Sequence, residues 1–180
     1  LYSSYAVRPD MSATVNMLCR CLTFPDTTVL QAAYDAVGSM IAAPDIAVQF
    51  DGTKGLNMLA YSDADWSVGP STTGYVVFLA GGPVAWKSTN QRFISMSSCE
   101  AELIAANAAG SECIYVYHLV TDLMGTDSGP PVLHRPNLQC DNQSTIHFAT
   151  KPAPLTRMKH LERDYLKIRE WVNAKLITLS

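Results

Sequence analysis

A chain of 180 residues that is 48% hydrophobic and 16% charged makes one domain, or a domain with an appendage, and is long enough to need no disulfides. Thirteen Lys and Arg stand against 16 Asp and Glu, a net charge of −3 that excludes a generally basic nucleic-acid binder. The charges are uneven: residues 1–150 hold six basic and 13 acidic side chains, and residues 151–180 hold seven and three, which reads as an acidic body with one basic strip. Met11, Val15, Leu18 and Leu22 fall at helical spacing, and Leu30, Ala33, Tyr34, Val37 and Ile41 repeat the pattern before Pro44. Both helices are expected to face a core, in an N-terminal helical appendage that ends at residue 51.

From about residue 56 the period changes. Leu56 to Ser62 predicts a strand, Thr73 to Ala80 a second, Gly81-Gly82-Pro83 a turn, Val84 to Lys87 another strand and Phe93 to Ser97 a short extended run. The uncharged stretch Trp66 to Trp86 holds four glycines and two prolines, so it reads as strands and turns and not as a membrane span. Ser97-Ser98 offer an N-cap to a helix over about 99–124, with Glu102, Ala105, Ala106, Ala109, Cys113 and Val116 on its inner stripe and Gly125 at its end. Asn137 to Asp141 predicts a strand, Gln143 to Thr150 a helix, residues 157–173 another helix, and Leu176 to Leu179 a last strand. The fold class is α/β, a mixed sheet flanked by helices. Five cysteines (Cys19, Cys21, Cys99, Cys113, Cys140) with no CxxC pair fit a reducing intracellular setting better than a disulfide framework or a zinc ribbon.

Three carboxylates stand near element ends. Asp63 closes the first strand on the face of Leu59 and Tyr61, Glu102 lies early on the long helix, and Asp141 ends the fourth strand. If the first and fourth strands are neighbours and the helix crosses them, the three converge, and such a cluster calls for a cation. Oxygen ligands select hard ions, Mg²⁺ or Mn²⁺. Singly, each has a plainer reading: Asp141 as a helix N-cap, Glu100 and Glu102 as first-turn answers to the helix dipole, Asp63 and Asp65 as turn formers.

Five segments in order (YSDADW, TGYVVFLAGGPVAWKS, SMSSCEAELIAA, QCDNQSTIHFAT and TRMKHLERDYLKIRE) resemble the ribonuclease H region of copia-type LTR retrotransposon polyproteins. RPDMSATVNMLCR and DGTKGL resemble the connecting segment that precedes it after the reverse transcriptase. The resemblance implies a ribonuclease H-like domain over 52–180 and a hydrolase that cleaves the RNA strand of RNA–DNA hybrids during retroelement reverse transcription. It implies two Mg²⁺ or Mn²⁺ ions on Asp63, Glu102 and Asp141, with Glu100 as the fallback; one ion activates water and the other stabilises the leaving oxygen. It places Asn142 and Gln143 beside the RNA strand, whose 2′-hydroxyl short polar groups read. Partners implied are the hybrid and the reverse transcriptase and integrase portions of the same polyprotein, with no membrane, in a cytoplasmic virus-like particle or the nucleus.

The sequence also departs from that pattern. The loop SVGPSTTGY is short, and the family's Lys-His-Ile-Asp is Lys159-His160-Leu161-Glu162. The family's last helix, with its fourth carboxylate, is expected to lie beyond Ser180; with Leu1 in place of an initiator Met, this reads as a fragment, truncated before that helix and weakly active. The fourth ligand is thus absent, and substitution by Glu162 or Asp164 is the disfavoured reading. Lys151, Arg157, Lys159, Arg163, Lys167, Arg169 and Lys175 form the strip that would meet phosphates, Lys159 and Arg163 foremost, or simply a solvated helix face. Trp86 and Tyr75 are stacking candidates or core. The alternative function is a non-catalytic, domesticated or truncated remnant that binds nucleic acid or a protein partner.

Overall fold

The computed structural model describes residues 2–67, 69–125, 133–150 and 162–180, with side chains in the last segment from Leu166 onward. Five strands form one sheet in the order β3-β2-β1-β4-β5: β1 (Met58–Asp65), β2 (Thr72–Leu79), β3 (Gly82–Asn90), β4 (Asn137–Cys140) and β5 (Thr178–Leu179). β1, β2 and β3 are antiparallel neighbours, while β4 runs parallel to β1 and β5 parallel to β4. The mixed sheet is the one expected from the order of elements.

β1 is longer than its apolar pattern suggests. Its ladder with β2 runs from Met58↔Leu79 to Asp65↔Thr72, so Asp63 lies inside the strand and does not close it. The hairpin turns on Ala80 and Gly81, both at positive φ (51° and 79°). This two-residue geometry matches the twist of the flanking strands. β3 therefore starts at Gly82, a residue the sequence reading assigned to the turn. A side chain at Gly82 would meet the Gln49 carbonyl and the Phe50 ring, and Asp51 N–H donates to the Ala80 carbonyl at 3.0 Å. The segment before β1 is thereby pinned to the hairpin.

Phe93 to Ser97 forms no strand. Gln91 leaves the sheet and is buried, its amide nitrogen donating to Thr73 Oγ1 (3.1 Å) and the Ala101 carbonyl (2.9 Å), and its oxygen accepting from Ser95 Oγ (2.6 Å). That network turns the chain into α4 and leaves Phe93, Ile94 and Met96 exposed.

α4 (Ser98–Met124) lies across β1, β2 and β4. Ala106, Ala109 and Cys113 are fully buried against Met58, Ala60, Val77 and Leu138, and Ala105 is fully buried as well. Small residues on this stripe let the helix axis approach the sheet closely. α5 (Gln143–Thr150) and α6 (Glu162–Asn173) complete that layer through Ala149 and Ile168.

The N-terminal helices are α1 (Tyr2–Ala6), α2 (Ser12–Arg20) and α3 (Thr27–Ala42). Trp86 Nε1 donates to the Ser4 carbonyl, and Asn16 Nδ2 to Ser88 Oγ, which fastens α1 and α2 to β3. Arg8 bonds Asp10 at 2.8 Å and the Ala43 carbonyl at 3.3 Å. The expectation that both long N-terminal helices face a core fails: α2 leaves Val15 and Leu18 only half-buried, Leu22 lies exposed beyond its end, and α3 departs further. Leu30, Tyr34, Val37 and Ile41 are all more than half exposed, because α3 packs on α2 and its apolar stripe has no sheet beneath it. No described helix is long and apolar enough to cross a membrane.

Candidate metal centre

The register of β1 with β4 builds the site. Leu59↔Asn137 through Ser62↔Cys140 are parallel partners, so Asp63 and Asp141 each stand one residue beyond the last pair, at the same end of the ladder. Asp63 is exposed on the face it shares with Leu59 and Tyr61, as alternation predicts. A cleft of about 450 Å³ opens there, lined by Tyr61, Ser62, Asp63, Gln139, Cys140, Asp141 and Ser180.

α4 delivers the third carboxylate. Ser97 Oγ accepts the Glu100 N–H at 3.2 Å, and the Glu100 carboxylate accepts the Met96 N–H at 2.7 Å. Ser97 is the cap, and Glu100 stands in the first turn of α4, where its charge answers the helix dipole, with its carboxylate on the Met96 N–H. Glu102, two residues on, faces the sheet at 6% exposure. Burial foremost, then the charges of Asp63 and Asp141, push its carboxyl up to about 7, and the Ala64 backbone amide pulls it partly back. Its Oε2 is buried with no hydrogen-bond partner. The carboxylates of Glu102 and Asp141 and the Cys140 sulfur each place one donor atom within 4.8 Å of the others; Asp63 is outside this tightest set but close enough for its charge to act on Glu102. An orphaned carboxylate oxygen facing a second carboxylate fits a hard divalent cation, which would supply the missing partner.

Asp141 is not the cap of α5. Asn142 Oδ1 takes that role, accepting the Thr145 N–H at 3.1 Å. The oxygen of Asn142 that was expected at the RNA strand is thus engaged within the chain, while Gln143 is exposed on the first turn of α5 beside Asp141.

Lys159 lies outside the described residues, as do Lys151, Arg157 and His160; the side chains of Glu162, Arg163 and Asp164 are also outside them. Of the strip's described members, Lys167 donates to Ser111 Oγ (3.0 Å) and sits 4.7 Å from the Trp171 ring, and Arg169 donates to the Phe148 carbonyl (2.8 Å). These two cations hold helices together. Tyr75 and Trp86 are likewise committed inside the fold. The Tyr75 hydroxyl, pushed up to about 12 by burial and then Glu112, bonds Glu112 at 3.4 Å, and the Trp86 indole holds Ser4.

Cys140 escaped the sequence reading because a lone cysteine carries no spacing signal. Its placement on the inward face of β4, next to Asp141, was the available clue. The Ala64 amide could not have been found, since backbone groups are not written in the side-chain pattern.

A five-stranded sheet of order 3-2-1-4-5, with carboxylates at the junction of its two central parallel strands and a long helix behind, is the ribonuclease H-like fold. No protein-family model matches the chain. It is 33% identical over 171 residues, 93% of its length, to the retrovirus-related Pol polyprotein from transposon RE2 of Arabidopsis thaliana. The alignment spans 11% of that polyprotein, about a tenth of its length. Among solved structures, the foamy viral protease-reverse transcriptase dRH, in complex with double-stranded DNA, superposes over 99% of this chain and 29% of its own at TM-score 0.57 and 11% identity. Ribonuclease H1 of Halobacterium salinarum superposes over 69% of this chain and 83% of its own, at TM-score 0.47 and 21% identity. The homologues of this chain are retrovirus-related Pol polyproteins of transposons, of which it matches one segment.

Proposed function

We propose that the chain is the ribonuclease H portion of a retroelement Pol polyprotein, and that it hydrolyses the RNA strand of RNA–DNA hybrids with divalent metal held by Asp63, Glu102 and Asp141. The observation that carries this reading is the buried Glu102 carboxylate: its Oε2 has no partner, and burial first, then two further carboxylates, raise its pKa. An unassisted fold gains nothing from such an arrangement, whereas a cation converts three mutually repelling charges into ligands. Bound metal would polarise the scissile phosphate and lower the pKa of an attacking water.

The chain's own residues do the rest. Glu102 comes from the rigid start of α4, so its carboxylate is held in place before any ion arrives. Asp63 and Asp141 stand in a cleft open to solvent, where a phosphodiester can approach. Gln143 is exposed next to Asp141 and is the polar group positioned to read a 2′-hydroxyl. The relationship to the RE2 polyprotein supports a role in reverse transcription, alongside reverse transcriptase and integrase segments of the same product.

The test is cleavage of a labelled RNA–DNA hybrid by the 180-residue chain in Mg²⁺ and in Mn²⁺, beside Mn²⁺ binding read by electron paramagnetic resonance. Cleavage that is lost in both Asp63→Asn and Glu102→Gln supports the proposal. Cleavage that survives either change, or an absence of Mn²⁺ binding, overturns it. Hybrid binding without cleavage would instead select the non-catalytic remnant.

A further inference from the structure

This centre holds a sulfur atom beside its carboxylates. Cys140 ends β4 at 6% exposure on the strand's inward face, with Ser62 as its register partner in β1. Its Sγ is one of the three donor atoms that lie within 4.8 Å of one another, the other two being carboxylate oxygens of Glu102 and Asp141. Glu102 Oε2 is buried without a hydrogen-bond partner, in a residue more than nine-tenths buried, while the Ser62 hydroxyl hydrogen-bonds the Cys140 sulfur. Leaving such an atom unsatisfied is costly, so native structures seldom do it without a ligand. Donors shared by one tetrahedral zinc stand about 3–4 Å apart, so the observed spacing needs only side-chain adjustment to close on an ion.

We propose that Cys140 is a third inner ligand of this centre and that, with Glu102 and Asp141, it makes a mixed oxygen–sulfur site that prefers thiophilic divalent ions, cadmium and zinc, over magnesium. The inference rests on the metal centre of the preceding section and assigns it a selectivity that carboxylates alone would not have: oxygen donors suit magnesium and manganese, whereas a thiolate favours zinc and softer ions. When the ion binds, a sulfur–metal bond forms and the thiol proton passes to buffer; nothing is oxidised or reduced. Ions of this class then occupy the place where the hard ion is needed, so the site carries its own inhibitory metal.

The experiment titrates the metal-free 180-residue chain with Cd²⁺ and reads the ultraviolet sulfur-to-cadmium charge-transfer band. The same preparations are then examined for Mn²⁺ by paramagnetic resonance. One equivalent of Cd²⁺ is expected to raise the band. The band is expected to vanish in Cys140→Ser and Cys140→Ala, weaken in Glu102→Gln, and persist when Cys19, Cys21 and Cys99 are together replaced by serine. Cd²⁺ affinity is expected to fall about tenfold or more in Cys140→Ser while Mn²⁺ affinity stays within about threefold, since only the soft ion depends on sulfur. Mn²⁺ binding with no Cys140-dependent band overturns the sulfur ligand and leaves the carboxylate centre standing. A Cys140-dependent band without Mn²⁺ binding keeps the sulfur site and removes the hard-ion centre. If the Cys140 variants do not fold, cadmium NMR of the unaltered chain decides: a shift typical of one sulfur ligand is expected, and an all-oxygen shift overturns the proposal.

Discussion

Glu102 should make the metal-free chain less stable as pH rises. In the fold its carboxyl is pushed up to about 7, by burial first and by Asp63 and Asp141 next, against an ordinary value of 4.5. Between those values an unfolded chain has released the proton and the folded chain keeps it, so stability must decline with rising pH. The contribution is fully present below 4.5 and is lost as pH rises through about 7. A gap of about 2.5 units at 1.36 kcal/mol per unit sets an upper bound of about 3 kcal/mol, since solvent reaching the centre through the cleft screens part of it. Glu102→Gln keeps the shape and removes the charge, but leaves a buried amide short of a partner, a penalty of about 1 kcal/mol. The variant is therefore expected to be more stable than the parent by at most about 2 kcal/mol at about pH 8 and about 1 kcal/mol less stable at about pH 4. Urea unfolding in chelator across that range measures both limbs. Added Mn²⁺ should recover the parent's loss at high pH and leave the Gln variant unmoved. A parent whose stability is flat across the range, or a Gln variant that is weaker at high pH, would refute the argument that Glu102 is a buried carboxylate awaiting a cation.

Four further substitutions probe the site and the fold around it. Gly110→Ala would set a Cβ 2.8 Å from Trp171 Cζ3 and 3.1 Å from Cε3, so the ring or the α6 backbone that carries it must shift. The expected net loss is about 1–3 kcal/mol in urea unfolding, despite roughly 1 kcal/mol gained in helix propensity, and a stabilised variant would show that the ring yields freely. Asn142→Ala removes the α5 cap and should cost about 1 kcal/mol of stability, whereas Gln143→Ala should leave stability unchanged and weaken hybrid binding; the reverse pattern in a hybrid titration would reassign the two roles. Ala80→Asn at the φ 51° position of the hairpin should raise the midpoint of thermal unfolding, with a gain of about 0.5–1 kcal/mol, because asparagine tolerates that backbone better than alanine.

What could be read from the sequence, and what could not, divides along local and non-local lines. The α4 stripe from Glu102 to Val116, its Ser97 cap and its Gly125 stop are local patterns, and the structure shows each of them. The strand boundaries were less visible. β1 continues past Ser62 because β2 offers partners as far as Thr72, a pairing that residues 56–62 do not encode. The apolar stripe of α3 misled because helical periodicity says that a face is apolar, not that another element covers it. In the same way, a run of cations in the last 30 residues says nothing of internal use, and Lys167 and Arg169 turn out to bridge helices.

The convergence of the acidic residues depends on one fact of topology. Asp63 and Asp141 are far apart along the chain, and each resembles an ordinary turn or cap residue. They stand side by side because β4 pairs parallel with β1 and stops at Cys140, level with Ser62. A parallel crossover of this kind needs an intervening helix, and α4 is that helix. Its first turns must therefore pass the end of the strand pair, which is where Glu102 sits. The connection that makes the sheet parallel is thus the same element that carries the third carboxylate, so fold and site are not independent features. A register slip of one residue between β1 and β4 would turn Cys140 outward and break the alignment of both aspartates at once. For that reason changes at Leu138 or Ala60, which are fully buried at this junction, should damage metal binding and stability together.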